Sequence, residues 1–134
     1  MEKRFPRDIG ALDSIFQFVA GFLASAGIDA SQSFTVDLII EELFTNMVKY
    51  SREGVHPISI QLEQVGRDLV IRLTDFDVEP FDITRAPEAD TTRPARERKI
   101  GGLGIHFVRQ MADRMSYDYA GRNSTITIVK RLEG

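Results

Sequence analysis

The stretch HPISIQLEQVGRDLVIRLTDF, residues 56–76, decides the fold class. Apolar residues alternate through Ile58, Ile60 and Leu62, a turn is signalled near Gly66-Arg67-Asp68, and the pattern resumes with Val70 and its neighbours. A period of two broken by a glycine-containing turn predicts a β-hairpin with one face buried. Before this hairpin the apolar period is helical. Leu12, Ile15, Phe16, Val19, Phe22, Leu23 and Ala26 predict a helix over residues 8–26, with Gly27 as its stop. Val36, Ile39, Ile40, Leu43, Phe44, Met47 and Val48 predict a second helix from about Ser31 to Tyr50, with Ser31 or Ser33 as its cap.

After the hairpin, residues 82–99 (DITRAPEADTTRPARERK) carry two prolines, many charges and almost no large apolar side chain, which marks a long polar loop. GGLGIHFVRQMADRM (101–115) opens on glycines and becomes helical, with Leu103, Phe107, Val108 and Met111 on one side. Two further strands, MSYDYAG and STITIVKRL, flank a turn at Gly121-Arg122-Asn123. Helices gathered on one face of a mostly antiparallel sheet make a two-layer α+β fold, and 134 residues allow one domain spanning 1–134.

Composition narrows the function. A net charge of −3 gives no electrostatic case for nucleic acid. The absence of cysteine excludes disulfides and thiolate metal sites. No signal-peptide pattern opens the chain, and no uninterrupted apolar run approaches a membrane span. The expectation is a cytoplasmic protein that does not engage a membrane.

The chemistry-bearing residues stand in a particular order. Glu42 and Asn46, in EELFTNMVKY (41–50), lie about 40° apart on a helical wheel, just off the apolar stripe. A carboxylate there can accept a proton, and a carboxamide oxygen can ligate a hard cation such as Mg²⁺. Asp75 comes where the chain leaves a strand, and the glycines at 101–104 precede a helix whose N–H groups could hold an anion.

This order resembles the GHKL nucleotide-binding superfamily, in particular its small anti-sigma-factor serine/threonine kinases, over nearly the whole chain. EELFTNMVKY is similar to the family's N-box, TDFDVEPFD (74–82) to its first glycine box, and IGGLGIHFVRQMADRMSY (100–117) to its second. The resemblance implies the Bergerat ATP-binding fold, ATP and Mg²⁺ as cofactors, Glu42 as general base and Asn46 as metal ligand. It further implies that Asp75 accepts the adenine amino group. Gly102 and Gly104 would bring amides to the phosphates, with Leu103 packed behind, and residues 83–99 would form an ATP lid. Thr125 resembles the strand threonine near adenine, with Thr127 on the same face as the alternative. By the same resemblance the partners are a sigma factor and an anti-anti-sigma (STAS-like) protein, and the chain pairs as a homodimer. A sensor histidine kinase is disfavoured, because His56 and His106 sit in a turn and in the glycine-led helix.

The chain departs from the pattern in two places. Lys49 stands where relatives often have histidine, and Asp77 replaces the glycine of Asp-x-Gly. A carboxylate at that position, two residues from Asp75, is expected to weaken nucleotide binding. The alternative reading is therefore a module that binds nucleotide weakly or not at all and acts by sequestering a protein.

Overall fold

The computed structural model describes residues 1–50, 54–80 and 102–132. Five strands form one antiparallel sheet in the order β1-β2-β3-β5-β4: β1 Glu2–Phe5, β2 Ile58–Val65, β3 Asp68–Asp75, β4 Arg114–Ala120 and β5 Asn123–Arg131. Helices α1 (Leu12–Ala26), α2 (Ser33–Tyr50) and α3 (Gly102–Met111) supply the second layer. The α+β class expected from the alternation and the helical stripes is the one observed.

The two layers meet along the apolar residues that define each period. Ile15, Val19, Phe22 and Leu23 of α1 and Val36, Ile39, Ile40, Leu43, Phe44 and Met47 of α2 are buried. Beneath them lie Ile58, Ile60 and Leu62 of β2, Leu69, Ile71 and Leu73 of β3, and Ile126 and Ile128 of β5. The register places Leu73 opposite Ile126 and Ile71 opposite Ile128, so one face of the sheet is a continuous apolar floor. By length and composition alone, Ile9–Ala26 could cross a membrane. Within it Ile15, Val19, Phe22 and Leu23 are buried against this floor, while Ile9 is 43% exposed.

Local signals account for most of the boundaries. Gly27 adopts a left-handed φ of 69°, with its N–H on Ala24 and that of Ile28 on Leu23. This Schellman arrangement ends α1 where the glycine predicts. Before α2, the expected serine cap is replaced by Asp29, whose side chain accepts from the Ser31 N–H at 2.8 Å and starts a short 3₁₀ turn over Ala30–Gln32. The β4–β5 hairpin turns through Gly121 and Arg122, with φ of 57° and 63°. Two successive left-handed residues form the tight turn whose twist suits a two-residue hairpin.

Two features differ from the sequence expectation. Strand β1 carries three exposed residues and one buried, Phe5, so it has no alternation to read. It is held by pairing, with Phe5 opposite Ile58, and by the edge-to-face contact of Phe5 with Phe18. On α3, Val108 is buried but Phe107 is 53% exposed, because successive helical residues point about 100° apart. The polar loop assigned to residues 82–99, with the ATP lid expected at 83–99, lies outside the described residues.

Candidate functional site

The site is built from the last turns of α2 and the end of β3. Asn46 is 4% exposed, and its amide nitrogen donates to the Glu42 backbone carbonyl and to Glu42 Oε1, both at 2.7 Å. The spacing of four makes this possible, since residues i and i+4 stack on one helix face. With the nitrogen committed to Glu42, Oδ1 is the atom of Asn46 suited to a cation. Burial raises the Glu42 carboxyl above its ordinary value, against the opposing effects of the Asn46 hydrogen bond and Lys49. The pair therefore joins a carboxylate with heightened proton affinity to a carboxamide in fixed orientation.

Asp75 is 1% exposed, on the face of β3 that carries Leu73 and looks toward the helices. It forms an ion pair with Arg7, a residue that sequence reasoning did not select. Arg7 also donates to the Met47 carbonyl at 3.1 Å, which ties the end of β3 to the helical turn carrying Asn46.

Across β5 the register resolves which hydroxyl shares this face. Asp75 pairs with Ser124, and Thr74 pairs with Thr125. Ser124 is buried, with its hydroxyl 3.1 Å from that of Tyr117. Thr125 lies on the opposite face, its hydroxyl 3.1 Å from that of Thr74, and Thr127 follows it there. Ser124 thus stands on the face of Asp75, where Thr125 was expected. The signal was present in the sequence: Ile126 and Ile128 must face the core, and residue 124 shares their parity.

Asp77 is exposed, not buried beside Asp75. Its φ of 53° is the left-handed backbone that a glycine would supply, which aspartate tolerates better than most residues. The side chain is 60% exposed and accepts from Arg122 Nε at 2.8 Å. That hydrogen bond, with the Arg122 charge, lowers the carboxyl from its ordinary value. Its countercharge comes from the β4–β5 turn.

Gly102, Leu103 and Gly104 form the first turn of α3. Their backbone amides are at a helix N-terminus, where orphan N–H groups favour anions. Among the described residues no cluster of three or more His, Cys, Asp or Glu is placed to hold a metal. Asn46 Oδ1 is a hard oxygen donor of the kind Mg²⁺ accepts alongside phosphate oxygens, so the donor set fits that ion.

Comparison with protein-family models matches residues 5–130 to the histidine kinase-like ATPase domain. The chain belongs to this family. Among solved structures, a histidine kinase of Acinetobacter baumannii, AdeS, is similar with a TM-score of 0.53 and 16% identity, over 100% of this chain and 68% of that one. At that identity the likeness concerns the fold. Comparison with curated proteins returns no match.

Proposed function

We propose that this domain binds Mg·ATP and transfers its terminal phosphoryl group to a hydroxyl of a protein partner, as an anti-sigma-factor-type serine/threonine kinase. The observation that carries the reading is the Glu42–Asn46 pair, a half-buried carboxylate hydrogen-bonded to a buried carboxamide on a core helix. A solvated helix face has no need of either.

Phosphoryl transfer requires mainly positioning and charge neutralisation. Asn46 would hold Mg²⁺ through Oδ1, kept in orientation by Glu42. The ion, when bound, neutralises phosphate charge. Glu42 takes the proton of the attacking hydroxyl, and its raised proton affinity makes it the stronger base. Amides at the start of α3 receive phosphate oxygens, and Asp75 receives the base. The partners in this reading are a sigma factor and a STAS-like anti-anti-sigma protein, met in the cytoplasm by a chain that pairs with a second copy.

A second reading, sequestration of a protein without phosphate chemistry, draws on the loss of the glycine at Asp77. Calorimetry separates the two. The kinase reading expects ADP to bind with Mg²⁺ and more weakly without it, and ATP to phosphorylate a STAS-like acceptor. No heat with millimolar Mg·ADP would leave sequestration alone.

A further inference from the structure

Asp75 does not meet its surroundings as a lone carboxylate. Arg7 Nη1 donates to Oδ1, and Nη2 donates to Oδ2 at 3.2 Å, a fork-to-fork pairing. The same two nitrogens donate to main-chain carbonyls, Nη2 to Met47 at 3.1 Å and Nη1 to His56 at 3.4 Å. Met47 follows Asn46 on α2, and His56 leads into β2. One guanidinium therefore joins α2, the entry to β2 and the end of β3, with the side chains of Arg7 and Asp75 only 11% and 2% exposed. Gly54 makes the room, since a Cβ there would stand 2.3 Å from the guanidinium carbon.

The direction of approach is informative. In the order β1-β2-β3-β5-β4, Arg7 reaches Asp75 from the β2 side, bonded to the carbonyl of His56. Ser124 lies on the other side, on β5. An ionised carboxylate has about four acceptor positions, and the guanidinium fork takes one on each oxygen. Acceptor capacity is thus left for a second donor. If Arg7 had to leave as a ligand arrived, a buried charge pair would be broken, which is strongly unfavourable.

We infer that Arg7 is a positioning residue for base recognition. It fixes the plane of the Asp75 carboxylate, so that the remaining acceptor positions select a ring bearing an exocyclic amino group. The inference rests on the nucleotide-binding reading above and adds to it a specificity determinant from the segment after β1.

Calorimetry with three Mg²⁺-loaded probes tests it: ADP, inosine diphosphate, which carries an oxo group in place of the amino group, and pyrophosphate. Arg7→Met is expected to weaken ADP binding about tenfold or more and to narrow the preference for ADP over inosine diphosphate. Pyrophosphate affinity should not change. A role in folding alone would lower all three affinities together, and that result overturns the inference. Unchanged discrimination or tighter ADP binding in Arg7→Met also overturns it, the latter by showing that Arg7 blocks the site. If Arg7→Met unfolds, Arg7→Met/Asp75→Asn removes both charges and should likewise lose discrimination while keeping pyrophosphate; retained discrimination overturns the inference. Failure of the wild type to bind ADP at millimolar concentration overturns the nucleotide reading and this inference with it. ADP binding by the wild type with discrimination independent of Arg7 overturns this inference alone.

Discussion

Glu42 and Asp37 are two carboxylates of one helix whose protons are held mainly by burial, with different neighbours adding to it or opposing it. At Glu42 the dominant cause is burial, partly offset by Asn46, so as a base it should work on a pH limb lying above the ordinary glutamate range. The base must be ionised, so the rate rises with pH through that limb. Glu42→Ala should lower phosphoryl transfer by about 10²–10⁴. Its circular dichroism and unfolding midpoint should stay close to wild type, because the side chain lies outside the apolar stripe. Asp37 is raised from 3.8 to about 6, first by burial and then by the charge of Glu41, and its buried Oδ1 has no hydrogen-bond partner among the described residues. A carboxyl raised on folding stabilises the native state while protonated and loses that contribution as pH rises from about 4 through about 6. Asp37→Asn, which mimics the protonated form, should therefore melt on the order of 2 °C above wild type at pH 7.5. The difference should close by pH 4. Melting curves at both values check the sign, and equal midpoints at pH 7.5 would show that solvent screens the charge.

Among the elements, the two hairpins and the segment after β3 share one device, left-handed residues at tight turns. Gly66 and Gly121 take that conformation freely, while Arg122 and Asp77 take it as a pair whose side chains meet across the gap. Asp77 N–H also reaches Asn123 Oδ1 at 3.2 Å, and Val78 N–H reaches the Arg122 carbonyl at 2.8 Å. The segment is thus stitched to the β4–β5 turn by main chain as well as charge. Exposed ion pairs contribute roughly 0–1 kcal/mol. Asp77→Gly should consequently change ADP affinity by less than about threefold, a change that such a contribution can cover. This differs from the expectation from sequence, that a carboxylate at position 77 weakens nucleotide binding. A tenfold gain in calorimetry would show that Asp77 does reach the ligand.

At the scale of the whole molecule, stability and site geometry depend on the same helix. Phe44 is fully buried in the floor-to-helix contact, and Phe44→Ala should cost about 3–5 kcal/mol. That is a large share of the roughly 5–15 kcal/mol that holds a domain folded, so the urea midpoint should fall steeply. A small shift would mean that the neighbouring side chains collapse into the space. The sequence alone determined the features that rest on near neighbours. Periods of 3.6 and 2 identify α1, α2 and the hairpins, because a segment must present one apolar face whatever it packs against. The Glu42–Asn46 bond is legible for the same reason, since four residues on a helix are adjacent in space. Tertiary structure decided what depends on distant pairings. Strand β1 exists because β2 offers an edge, and one apolar residue in four gave no period to detect. Ser124 stands directly opposite Asp75 because of strand register, although parity with Ile126 and Ile128 alone assigns it to the core face. Arg7 and Asp75 stand 68 positions apart, and no local pattern in either segment encodes their meeting. Only the closed core brings a cation to that carboxylate, where burial makes the partnership matter.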